Sequence, residues 1–183
     1  MSETTDPKFL DTFPAWLRSL GDDAEALGGL LAGEGLVGGA REAVVGGLTY
    51  LFKSLDLIPD GIDDIGYLDD AFVLRIAADL AVAEDGGDDP AVSKVLGALA
   101  NDCELLREFL GDDYGRLESY VKGLRRGSAR GRTVADVLGE PSVRAAFLGD
   151  VTGFAKNYVS PSFTREEKTL IKLRAFFDAK LPR

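Results

Sequence analysis

"AVVGGLTYLFKSLDLIPDGIDDIGYLDDAFVLRIAADLAVA" runs from residue 43 to residue 83. Its two ends, Ala43 to Lys53 and Ala71 to Ala83, read as helices, and the stretch between them is unusual for a connection. Leu55, Leu57, Ile58, Ile62 and Ile65 are apolar, which predicts that the loop folds back and contributes to the core. Pro59 holds Ile58 extended, while Gly61 and Gly66 permit turns. The segment is therefore expected to be a helical hairpin with an ordered connection rich in Asp, Pro and Gly.

Outward from this hairpin, helical spacing dominates and no convincing strand alternation is present. Val92, Val95, Leu96, Leu99, Cys103, Leu106 and Leu110 recur at intervals of three and four, predicting one helix over Ala91 to Leu110 with Pro90 in its first turn. Cys103 falls on that apolar stripe, which predicts a buried and inert thiol. "TREE" predicts a capping box, with Thr164 as N-cap and Glu167 three residues on, before Leu170, Leu173, Phe177 and Leu181. Further helices are expected at 113 to 125, 133 to 139 (capped by Thr133) and 141 to 158 (opened by Pro141), with weaker patterns over Pro7 to Leu20 and Asp22 to Ala32. Phe13 and Trp16 read as packing residues. The expected fold is all-α, one domain over residues 1–183 of seven to eight helices with the hairpin at its centre. The acidic loop "EDGGDDP", residues 84 to 90, is the candidate seam between two helical layers.

Residues 28 to 47 hold eight glycines. Each interior glycine costs a helix about 0.5 to 1 kcal/mol, so this stretch is expected to be irregular and closely packed. Contact with a membrane surface is the alternative.

Composition narrows the function classes. The formal net charge of the 183 residues is −10, and the chain has one cysteine and no histidine. A field of that sign repels nucleic acid and anionic lipid. Without histidine, the Ser-His-Asp and Cys-His arrangements and every histidine metal site are excluded; one cysteine excludes an internal disulfide and a multi-cysteine zinc site. Acid-base or metal chemistry must rest on Asp and Glu. The longest uncharged run, Ala43 to Phe52, is ten residues, too short for the roughly 18 that span a bilayer. The acidic start "MSETTDPKF" is unlike a secretory signal, so a cytoplasmic location is expected.

The aspartates of the connection admit three readings. Asp69 and Asp70 suit the first turn of a helix, where free amides and the helix dipole favour carboxylates, and Asp56 and Asp60 can close turns around Pro59. Alternatively, Asp56, Asp60, Asp69 and Asp70 converge on Mg²⁺, Mn²⁺ or Ca²⁺, all of which take oxygen ligands. An EF-hand begun at Asp56 fails, because Ile58 and Tyr67 occupy its third and twelfth positions. In the third reading the acidic surface docks a basic partner.

"YLFKSLDLIPDGIDDIGYLDDAFVL", residues 50 to 74, resembles the signature of the YkvA-like family, a domain of unknown function. The signature, Asp-x-Ile-Pro-Asp followed by Gly-x-x-Asp-Asp, falls on Asp56, Ile58, Pro59, Asp60, Gly66, Asp69 and Asp70. It covers only residues 43 to 83. Leu55 and Asp63 stand where relatives often carry proline. The resemblance implies a small helical domain and no particular reaction.

A second charged segment, "KGLRRGSARGR" at 122 to 132, offers Lys122, Arg125, Arg126, Arg130 and Arg132 for an anion. No phosphate loop, dinucleotide fingerprint or nucleophile elbow is present. The leading expectation is a non-enzymatic interaction or scaffold protein that docks an unidentified protein partner on the ordered acidic segment. The rival is a divalent-cation-dependent enzyme acting on a phosphorylated substrate, with the four aspartates as ligands and Arg125, Arg126 or Arg130 on the phosphate. Peripheral membrane attachment through the glycine-rich stretch is the third. No catalytic residue is identifiable.

Overall fold

Leu68–Ala83, the second arm of the hairpin, is helical and buried on every side from Leu68 to Ala78 in the computed structural model, which describes residues 7–62, 64–84 and 88–183. A helix with no solvent-facing side takes the centre of a bundle. In chain order the helices are α1 (Pro7–Ala32), α2 (Gly38–Tyr50), α3 (Leu68–Ala83), α4 (Pro90–Ala100), α5 (Cys103–Leu110), α6 (Asp113–Gly123), α7 (Val134–Gly139), α8 (Pro141–Asn157) and α9 (Glu167–Lys180). Helices α2 and α4 pack most extensively on α3, α1 also packs on it, and α8 packs on α1. The fold is all-α, with nine α-helices among the described residues where seven or eight were expected. Asp63 and residues 85–87 of the acidic loop lie outside the described residues.

One core joins these elements. Phe13 and Trp16 of α1, Phe72 of α3, Phe109 of α5 and Phe177 of α9 form an aromatic cluster, with Phe72 stacked on Phe177 at 5.3 Å and Phe13 edge-on to Phe109 at 4.8 Å. Rings in these geometries add about 0.5 to 1.5 kcal/mol per pair beyond their burial. Cys103 is buried as expected, and burial pushes its thiol up to about 12.

Several boundaries differ from the sequence reading. Pro7 to Ala32 is one helix, not two, continuing through Pro14 and Gly21. The stripe from 91 to 110 is split at Asn101–Asp102 into α4 and α5, yet Val92, Leu96, Leu99, Cys103 and Leu106 stay on one buried face. The break sets Asp102 against the buried Arg75 of α3 at 2.9 Å. The expected capping box at Thr164 does not form: α9 begins at Glu167, and the Thr164 hydroxyl instead donates to Asp64 of the hairpin connection. At Thr133 a capping box does form, with Asp136. The basic segment carries a two-residue antiparallel ladder, Ser128–Ala129 (β1) with Arg132–Thr133 (β2), turning at Arg130 and Gly131, both with positive φ.

The glycine-rich stretch is more regular than expected, broken only over 33–37 between α1 and α2. Close approach is nevertheless what its glycines provide. A Cβ on Gly47 would lie 2.5 Å from Cβ of Ala77, so α2 and α3 touch there nearly backbone to backbone.

Candidate functional site

The connection between α2 and α3 is shaped by backbone bonds and by one tyrosine. Ile62 N–H donates to Pro59 O at 3.1 Å and Gly66 N–H to Ile62 O at 2.9 Å. A Cβ on Gly66 would stand 2.3 Å from the Asp60 carbonyl, so the loop closes on itself only with glycine there. Leu57, Ile58 and Ile65 are buried and Ile62 is partly buried against the core, as the sequence predicts, but Leu55, expected with them, is 83% exposed because it precedes the point where the loop turns inward. Tyr50, the last residue of α2, is fully buried; its hydroxyl accepts from Leu57 N–H at 2.7 Å and donates to Asp69 Oδ2. Ile58 N–H donates to the same oxygen at 3.2 Å. Asp69 thus ties α2, the loop and α3 together through one oxygen.

The carboxylates of the trio converge, and some of their oxygens lack partners. Carboxylate atoms of Asp60, Asp69 and Asp70 lie within 4.8 Å of one another. Asp69 is 0% and Asp70 3% exposed, and Asp69 Oδ1 and Asp70 Oδ2 are buried without a hydrogen-bond partner. Asp56 Oδ1 is a third such oxygen, although Asp56 stands beside the trio rather than within it. Asp60 faces solvent. Of the four expected ligands the structure therefore gathers three and sets the fourth next to them. Asp69 and Asp70 do lie in the first turn of α3, yet the residue at its cap, Tyr67, has φ 67° and no carboxylate caps the helix from there.

Burying carboxylates together is costly, and their protonation reflects it. Burial, then the charges of Asp60 and Asp69, push Asp56 up to about 7, against a small downward pull from Lys53. Burial raises Asp69 to about 6 despite the opposing bonds from Tyr50 and Ile58. Asp70 is raised well above the carboxylate range by burial and by the charge of Asp69, and Asp60 is raised by desolvation although it borders solvent. A proton or a cation must offset this charge for the cluster to sit where it does.

The basic segment does not assemble into one site. Lys122 pairs with Glu118 at 3.6 Å, and Arg125 spans Glu84 at 3.4 Å and Glu42 at 3.8 Å; Arg126 is exposed beside them. Arg130 and Arg132 lie on the β1–β2 hairpin and both meet Asp150 of α8. Only Arg130 lines the same cleft as Asp60. That cleft also exposes Tyr67, Phe154 and Tyr158, none of which the sequence reading singled out. Tyr50 was missed as well, and its signal was available: a tyrosine at the end of an apolar run needs a partner for its hydroxyl.

Comparison with known families agrees with this anatomy. A family described as "Protein of unknown function (DUF1232)" matches residues 40–76, which hold most of α2, the whole connection and the first half of α3. This segment carries every residue of the YkvA-like signature and is consistent with that resemblance; the rest of the chain lies outside the match. No curated protein and no solved structure matches the chain. No helix among the described residues is long and apolar enough to cross a membrane.

Proposed function

We propose that this chain is a divalent-cation-binding protein in which Asp60, Asp69 and Asp70 hold a hard cation, Mg²⁺, Mn²⁺ or Ca²⁺, with Asp56 as a fourth carboxylate beside it. One observation carries the reading: Asp69 Oδ1 and Asp70 Oδ2 are buried and unpartnered within reach of Asp60. Buried acceptors are ordinarily satisfied, because each one left bare costs about 1 to 3 kcal/mol, and more when charged. An oxygen-seeking cation satisfies all of them at once and converts their mutual repulsion into attraction.

Use of the segment as a docking surface for a basic partner fits less well. Asp69 and Asp70 are beyond the reach of a partner's lysines or arginines, which leaves Asp60 and the half-buried Asp56 to do the docking. The test is thermal unfolding of metal-stripped protein with and without millimolar Mg²⁺, Mn²⁺ or Ca²⁺. Cation at about 100 times its dissociation constant stabilises by about 2.7 kcal/mol, a rise in Tm of about 5 to 10 °C for a chain of this length. Asp70→Asn removes the response. A wild type that melts at one temperature in every cation overturns the proposal.

A further inference from the structure

The cleft that Asp60 borders has a volume of about 680 Å³, within the range of small-molecule sites. Its composition is specific. Asp60, the solvent-facing member of the trio, and Asp150 lie on its lining together with Arg130, and Phe52, Tyr67, Phe154 and Tyr158 supply rings. Tyr67 packs edge-on to Tyr158 at 5.3 Å, and Phe154 stacks on Tyr158 at 5.5 Å, so three of these rings form one continuous wall. The Arg130 guanidinium rests 4.7 Å from the Phe52 ring centre. Its carboxylate neighbour Asp150, at 3.5 Å, is held more closely by Arg132, so Arg130 keeps donors for another acceptor.

We infer that this cleft binds a phosphomonoester carried on a flat ring, with the phosphate bridging a cation on Asp60 and the guanidinium of Arg130, and the ring against Tyr67, Phe154 and Tyr158. The inference rests on the cation reading above. Asp69 and Asp70 would hold the cation from the buried side, and because hard cations take six or more oxygens it would need further oxygens that only the Asp60 side, on the cleft, can supply. A planar guanidinium is suited to two phosphate oxygens at once. Without the cation, the aspartates repel any phosphate; anion binding here is therefore cation-dependent. That dependence separates this site from Lys122, Arg125 and Arg126, whose cleft includes Glu84 but none of the four aspartates.

The test uses the full chain and phenyl phosphate as probe. Binding of Mn²⁺ is first followed through the resonance of the free ion, and phenyl phosphate, inorganic phosphate and phenol are then titrated calorimetrically with and without saturating Mn²⁺. Phenyl phosphate is expected to bind only with Mn²⁺ and more tightly than inorganic phosphate, and phenol not at all. Arg130→Gln, at an exposed hairpin turn, is expected to keep Mn²⁺ affinity and melting temperature while weakening phenyl phosphate about ten- to hundredfold. If wild type binds Mn²⁺ but phenyl phosphate fails to bind, or binds Arg130→Gln equally well, this inference falls and the cation reading stands. Equal affinity for inorganic phosphate overturns the aromatic half of it. Absence of Mn²⁺ binding removes the cation reading and this inference with it.

Discussion

Helix α3 buries charge twice, and the two places treat it oppositely. Arg75, 2% exposed, donates to Asp102 at 2.9 Å, to Asp23 at 3.3 Å and to Ala71 O at 3.2 Å, and lies 4.2 Å over the Trp16 ring. Its charge is opposed by two carboxylates and its donors are used within the protein. One and a half turns earlier, Asp69 and Asp70 are buried just as deeply beside Asp60, and each leaves an oxygen bare. The first arrangement is complete in itself, as a structural ion network has to be. The second needs a proton or a cation to offset its charge, and on the reading proposed above that partner is a divalent cation.

The sharpest way to break the comparison is on the complete side. Arg75→Met keeps the volume but strands Asp23 and Asp102, and should destabilise by about 3 kcal/mol, the low end for a broken buried pair because both partners retain some solvent. Urea unfolding of wild type and variant measures it; a loss under about 1 kcal/mol would mean that the network is dispensable. On the incomplete side the sign reverses. Cation-free Asp70→Asn at pH 8 should unfold at the same urea concentration as wild type or a higher one, because the change removes a buried carboxyl that the folded protein must either hold protonated or carry as an unpaired charge, and it should no longer respond to Mn²⁺. A clear drop in stability would instead make Asp70 a structural carboxylate.

Two smaller effects sharpen the contrast. Tyr50→Phe removes the donor to Asp69 and the acceptor of Leu57 N–H, and should cost about 1 to 2 kcal/mol in the same unfolding assay. Stability against pH supplies the other. Because the folded protein holds the protons of Asp56 and Asp69 more tightly than the unfolded chain, their contribution is full below the unfolded carboxylate range, about pH 4. It is lost as pH rises through about 6 for Asp69 and about 7 for Asp56. Cation-free protein should therefore weaken between pH 4 and pH 7, and saturating Mn²⁺ should flatten that slope. A cation-free stability that climbs across this window contradicts the assignment.

Much of this was legible in the sequence, and the rest failed for definable reasons. The apolar residues of the connection foretold a loop that enters the core, correctly for Leu57, Ile58 and Ile65 but not for Leu55, which is exposed, and Gly66 has its expected role at a turn, through close approach to Asp60 rather than through positive φ. Local signals sufficed where the partner was local, as at Thr133 and Asp136. They failed where a distant residue competed. Thr164 bonds to Asp64, one hundred residues away, and the break at Asn101–Asp102 places Asp102 against Arg75 of another helix. The four aspartates could be listed from sequence, but not that two would be buried and one would stand apart. Arg130 joins Asp60 only because the β1–β2 hairpin turns it toward the cleft that α8 helps to line.

Crystals grown with Mn²⁺ and measured at a wavelength where manganese scatters anomalously would show whether Asp60, Asp69 and Asp70 hold an ion. One strong peak is expected about 2 to 2.5 Å from carboxylate oxygens of Asp60, Asp69 and Asp70, with the bare Asp69 Oδ1 and Asp70 Oδ2 among them. A well-ordered cluster with no peak, or with Asp69 and Asp70 sharing a proton in its place, would contradict it.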